Sequence, residues 1–87
     1  MRVHEFVIHA DIERSDLIDI SSKSSHFISD ILIEYPHNQV QHVVDVKSLL
    51  GMLLVPIKAG TSIRLVTKGK DEEEAMHGMF NLFESYR

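Results

Sequence analysis

The sequence predicts an α+β fold: an open-faced β-sandwich in which a four-stranded, mostly antiparallel sheet is covered on one face by three helices, in the order βαββαβα. Three observations predict it. Short β-branched or alternating stretches recur along the chain, segments with helical spacing separate them, and turn-forming residues punctuate the boundaries. The length of 87 residues fits one domain, residues 1–87, with no room for a second.

The first strand is predicted over residues 3–9, rich in β-branched and aromatic side chains. A polar connection follows over residues 11–16. Leu17, Ile20, Ser24 and Phe27 then recur at helical spacing, with Ile18 and Ile28 beside the same stripe. This predicts a helix over residues 17–27 with Ser15 as its N-cap. Ser21, Ser22, Ser24 and Ser25 are weak helix formers, so packing must help to hold it.

Residues 30–35 read as the second strand, with Ile31 and Ile33 on one face and Leu32 on the other. Pro36, His37 and Asn38 mark a turn, and residues 40–46 return as the third strand of a hairpin. The apolar segment 48–55 fits helix or strand by periodicity alone. Ser48 as a cap and Pro56 as a stop favour a short helix. Residues 61–67 form the fourth strand, which Gly69 ends. In the last helix, residues 71–86, Ala75, Met79, Leu82, Phe83 and Tyr86 share one face. The acidic run Asp71, Glu72, Glu73 and Glu74 opens that helix and reads as a solvated first turn favoured by the macrodipole.

Composition closes off several function classes. There is no cysteine, which removes disulfides, thiolate metal sites and thiol catalysis. The net charge of -4, without a local basic stripe, gives no general attraction to nucleic acid. The longest apolar run, residues 49–57, is broken by Gly51 and Pro56 and falls short of the roughly 20 residues a membrane helix needs. The N-terminal residues meet charge too early for a secretory leader. A soluble, cytoplasmic protein without membrane partner is expected. The six histidines, His4, His9, His26, His37, His42 and His77, include no i, i+4 helical pair, so no metal site and no cofactor are expected.

Four motifs carry a resemblance. Val46-Lys47-Ser48-Leu49-Leu50-Gly51-Met52 resembles a regulatory stretch of the form L-K-S-I-M-G-V. Ile57-Lys58-Ala59-Gly60-Thr61-Ser62-Ile63 resembles a G-x-x-x-G-x-x-I turn into a strand. Gly69-Lys70-Asp71-Glu72-Glu73-Glu74-Ala75-Met76 is similar to G-x-D-E-x-x-A-L, and the segment from His26 to Tyr35 to K-F-x-S-D-I-x-L-E-Y. These are motifs of the HPr phosphocarrier family of the phosphoenolpyruvate:sugar phosphotransferase system. The resemblance covers nearly the whole chain and implies the HPr-like open-faced sandwich.

Two departures stand out. The hairpin around residues 36–43 is several residues longer than the family pattern. The second bears on function. The family's phosphorylatable histidine lies in a G-[IL]-H-A-R-P-A motif before the first helix. Counting back from Tyr35 without gaps puts Glu13 in the place of that histidine and Ser15 in the place of the assisting arginine. No histidine lies between Asp11 and Ser25 in any register. An imidazole of pKa about 6.5 is nucleophilic at neutral pH. Here the expected helix mouth instead holds Glu13, Asp16 and Asp19, opposed only by Arg14, and would repel phosphate. No catalytic residue is therefore expected, and the protein is not expected to be an enzyme.

Ser48 is the remaining candidate. The resemblance implies a serine phosphorylated by an ATP-dependent HPr-type kinase, after which the protein binds a transcriptional regulator of carbon catabolite repression. A branch of the family, Crh, lacks the histidine and keeps this serine. Lys47, Leu49, Leu50 and Leu53 are the expected partner-binding residues around it, because a short helix cannot bury so many leucines on one stripe. The reading is a non-carrier regulatory protein of the Crh type with protein partners, the kinase, the regulator or phosphotransferase proteins, as monomer or weak homodimer. The alternatives are a phosphocarrier with His9 as a displaced acceptor and a diverged HPr-fold binding protein of unrelated role. Ser48 also admits a plainer role, as a helix cap alone.

Overall fold

The computed structural model describes residues 1–86. Seven elements follow in order: β1 (Arg2–Val7), α1 (Arg14–Ser24), β2 (Asp30–His37), β3 (Val40–Asp45), α2 (Leu49–Met52), β4 (Ser62–Lys68) and α3 (Glu72–Glu84). The strands lie in the order β1-β4-β2-β3 and every neighbouring pair is antiparallel. The sheet is thus wholly rather than mostly antiparallel. The expected order and helix count hold.

One face of each strand builds the core. Ile31, Ile33 and Tyr35 of β2 and Ile63 and Leu65 of β4 are buried together with Leu17 and Ile20 of α1, Met52 of α2 and Ala75, Met79 and Phe83 of α3. Burying each of the large side chains contributes about 1.5–3 kcal/mol, so this layer outweighs the weak intrinsic helicity of α1. The other sheet face carries Glu5, Arg64 and Glu34 in adjacent register and has no helix over it.

Several boundaries differ from expectation for identifiable reasons. β1 ends at Val7, before His9. Ile8 is buried but bonds outside the ladder, its N–H to the Thr61 carbonyl at 2.9 Å and its carbonyl to Gly60 N–H at 2.8 Å. The N-cap of α1 is Glu13, not Ser15, which is exposed in the first turn. Glu13 N–H donates to Asp16 Oδ2 at 3.1 Å, so an aspartate at N3 fixes the helix start. At the other end, the Ser24 and Ser25 hydroxyls donate to the Ser21 and Ser22 carbonyls, both at 2.6 Å. Such local bonds compete with helix continuation, and α1 stops at Ser24 instead of Phe27. Ile18 and Ile28 are exposed, outside the buried stripe.

The hairpin turn is Asn38-Gln39, with φ of 52° and 63°, not Pro36-His37-Asn38. Both residues take the left-handed conformation of a type I′ turn. Apart from this two-residue turn, the hairpin is all strand, from Asp30–His37 to Val40–Asp45. β2 runs through Pro36 because β4 pairs with it only as far as Glu34. Beyond that point, a missing N–H on the outer side breaks no ladder bond.

The acidic start of α3 is not merely solvated. Asp71 accepts Ile28 N–H at 3.0 Å and Ser29 N–H at 2.9 Å, together with the Ser29 hydroxyl. These bonds hold its carboxyl below the usual carboxylate range, the Ser29 hydroxyl contributing most. Glu72 meets the N-terminal ammonium at 2.6 Å and Gly69 N–H at 3.2 Å, and its carboxyl is lowered, first by the ammonium. Gly69, at φ 152°, passes so close to Ser29 that a Cβ would lie 2.7 Å from the Ser29 Cα.

Candidate functional site

The mouth of α1 is built by its preceding loop. Ile12 N–H donates to the Ile57 carbonyl at 3.1 Å, and Asp11 Oδ1 accepts Ala59 N–H at 2.8 Å. This fixes Glu13, exposed, at the helix start, with its own N–H directed to the Asp16 carboxylate. Two carboxylates thus stand at the helix end where free N–H groups would otherwise favour an anion. Asp19 does not belong to this mouth. It lies one turn on, 3.2 Å from Lys23 Nζ and accepting the Tyr86 hydroxyl at 3.1 Å. Burial, then that bond, push the Tyr86 phenol up to about 12.

The histidines are dispersed. His9 Nε2 lies 3.0 Å from Glu84 Oε2 of α3. His4 packs edge-on against Phe80, with ring centroids 4.7 Å apart. His42 stacks on Tyr35, whose phenol is raised by burial, and lies 5.9 Å by centroid from His37. No group of three or more metal-ligating side chains occurs among the described residues.

Ser48 sits at the junction of β3 and α2. Its N–H donates to the Asp45 carbonyl at 3.0 Å, and its carbonyl accepts Met52 N–H at 2.9 Å. Its Oγ accepts Gly51 N–H at 3.3 Å, so Ser48 caps α2 as expected. The residue is nonetheless exposed. Lys47 is held on both sides: its N–H donates to Asp45 Oδ1 at 3.0 Å, and its ammonium to the Phe27 carbonyl at 2.7 Å. That ammonium ties the approach to α2 to the segment between α1 and β2.

The leucines divide clearly. Met52 is fully buried and Leu53 packs half-buried against the core. Leu49 is 44% exposed, Leu50 76% and Leu54 77%. The exposed set is therefore Leu49, Leu50 and Leu54. Leu54 takes the place expected of Leu53, because the four-residue α2 ends at Met52 and the chain turns there. Only that turn reveals Leu54; helical periodicity carried through to Val55 does not. Among the described residues, no helix is long and apolar enough to cross a membrane.

This geometry has close counterparts. The chain matches the family described as PTS HPr component phosphorylation site over residues 18–85. It is 34% identical over 62 residues to the HPr-like protein Crh of Halalkalibacterium halodurans, covering 71% of this chain and 69% of that protein. The structure of HPr-C-His from Thermoanaerobacter tengcongensis superposes with a TM-score of 0.81 at 25% identity, covering 99% of this chain and 94% of that one. The Bacillus subtilis Crh structure, described as an intertwined dimer with a swapped domain, shares the fold at a TM-score of 0.70 and 18% identity, over 100% of this chain and 95% of that one. The four motifs, the wholly antiparallel sheet under three helices and these likenesses agree: the chain belongs to the HPr family, as a Crh-like member.

Proposed function

We propose that this protein is a non-catalytic regulatory member of its family. It acts in the cytoplasm as one HPr-like domain, takes a phosphate on Ser48 from an HPr-type serine kinase and then docks on a protein partner, a transcriptional regulator in the first instance. The observation that carries the reading is the setting of Ser48: an exposed hydroxyl directly followed by the exposed Leu49 and Leu50. A phosphate there adds about -1.5 to -2 charge. Its oxygens can accept the Gly51 N–H that Oγ accepts now, so modification preserves the cap and changes the surface. Leu49, Leu50 and Leu54 supply apolar contact to the partner, while Lys47 and Leu53 hold the segment in shape.

The mouth of α1 supports a non-carrier role. Glu13 and Asp16 oppose an incoming phosphoryl group, and Glu13 offers no imidazole nitrogen. The second reading, a phosphocarrier through His9, draws on the Glu84 carboxylate 3.0 Å from Nε2, which can orient the ring. The same carboxylate repels the phosphoryl donor, so Ser48 is the better site. Incubation with an HPr-type kinase and ATP, and separately with the phosphohistidine donor of the phosphotransferase system, distinguishes them. Labelling by the kinase that Ser48→Ala abolishes supports the reading; labelling by the donor that His9→Ala abolishes overturns it.

A further inference from the structure

The sheet has two outer strands, β1 and β3, and their free edges are unlike. The β1 edge is guarded by charge. Arg2 and Glu5 lie on the strand, and the N-terminal ammonium and Arg2 reach Glu72 and Glu73 of α3. β3 reads VQHVVD, without lysine, arginine, proline or glycine, and its one acidic residue comes last. Val40 and Val43 are 55% and 58% exposed. The pairing with β2 runs unbroken from Leu32–Asp45 to His37–Val40, so no bulge turns the edge away. Native sheets normally blunt such edges.

The ladder phase decides which groups face outward. The tight Asn38-Gln39 turn makes His37–Val40 a hydrogen-bonded pair. Counting by two, Tyr35–His42 and Ile33–Val44 are bonded as well. Gln41, Val43 and Asp45 therefore direct their N–H and C=O groups away from β2.

We propose that β3 is a homodimer interface, pairing antiparallel with β3 of a second copy about a twofold axis at Val43. In this register Val43 meets Val43 of the second copy, and Gln41 meets Asp45 of the second copy twice. The Asp45 carbonyl already accepts Ser48 N–H. Val43 N–H to the opposing Val43 carbonyl and Asp45 N–H to the opposing Gln41 carbonyl, each made twice, are the main-chain bonds. The Gln41 amide stands opposite the Asp45 carboxylate, a donor facing an acceptor. Sliding the copies one pair toward the turn would set His42 against His42 and take Asp45 away from Gln41. The self-complementary register is the one centred on Val43. The two sheets join into one of eight strands. A contact of one short strand per copy buries less than the about 1,200 Å² of a stable complex, so the dimer forms at high concentration and dissociates on dilution.

Sedimentation equilibrium of the full chain, from micromolar to millimolar concentration, tests this. The wild-type mass is expected to rise from monomer to dimer. Val43→Lys is expected to stay monomeric throughout, and Val3→Lys on the opposite edge to dimerise like wild type. Amide exchange of the wild type, which needs no variant to fold, is expected to show protection of Val43 and Asp45 rising with concentration. A wild type that stays monomeric, a dimer that Val43→Lys leaves intact, or protection that rises along β1 instead overturns the proposal.

Discussion

Asp71 holds Ser29 across 42 residues of chain, one carboxylate oxygen accepting both the Ser29 N–H at 2.9 Å and its hydroxyl. The other oxygen accepts Ile28 N–H at 3.0 Å. From its place at the N-cap of α3, this one side chain ties down the segment that leads into β2, its carboxylate making no bond to the N–H groups of α3 itself. The Lys47 ammonium bonds the Phe27 carbonyl one residue upstream, so this junction also steadies the loop that carries Ser48.

This clamp predicts an acid sensitivity. The folded-state carboxyl of Asp71 titrates below its ordinary value of 3.8. A lowered carboxyl contributes stability that is present above the unfolded pKa and lost as pH falls through the folded one. Asp71→Asn is expected to melt at a lower temperature than wild type at neutral pH, and the gap is expected to narrow below about pH 4. Thermal melts followed by circular dichroism across that range check it; a gap independent of pH would remove the carboxylate from the explanation.

The two close-packed glycines are expected to differ. A Cβ on Gly69 would press on Ser29 backbone at 2.7 Å, at a φ that side chains avoid, so Gly69→Ala should cost about 1–3 kcal/mol or more. A Cβ on Gly78 would meet the tip of the Phe27 ring at 2.9 Å, a group that can move. Replacing a mid-helix glycine also returns about 0.8–1 kcal/mol of helix propensity. Gly78→Ala is thus expected to be the milder variant in urea denaturation.

Tyr86 makes an alkaline prediction. Its pKa is pushed up to about 12 from 10.0, by burial first and the Asp19 bond second. The raised value means stability that is full below pH 10 and lost as pH climbs toward 12. Ultraviolet titration should show both phenols ionising above the ordinary value, Tyr86 the later of the two, and Tyr86→Phe should remove that later step. Tyr35, also raised by burial, remains as the internal comparison.

The hairpin turn offers a gain. Gln39 sits at φ 63°, a conformation that costs an ordinary residue about 1–2 kcal/mol and glycine almost nothing. Gln39→Gly, which completes the Asn-Gly pair that type I′ turns favour, is expected to raise the unfolding midpoint.

The elements were legible where one local rule governs them. The Ala75, Met79 and Phe83 spacing marks α3, and Ser48 before Leu49 marks a capped helix; both follow from side chains within a turn of each other. What stayed hidden depends on partners distant in sequence. Pro36 reads as a turn residue until β4 is known to stop short of it. Asp71 reads as solvated until Ser29 is placed beside it. Glu13 did not read as the N-cap, because an aspartate at N3 makes a helix start that Ser15 imitates. Leu53 is half-buried and Leu54 exposed because the four-residue α2 ends before them, which periodicity does not show.

The central claim, that Ser48 takes the phosphate in place of a histidine, is tested most directly by mass spectrometry of the full chain after exposure to an HPr-type kinase with ATP and to the phosphohistidine donor in parallel. The expected result is a single phosphate from the kinase alone, mapped to Ser48 and absent from Ser48→Ala. That variant should lose only about 1 kcal/mol of capping stability and stay folded. A phosphate transferred by the donor onto any histidine, or kinase labelling that survives Ser48→Ala, would contradict it.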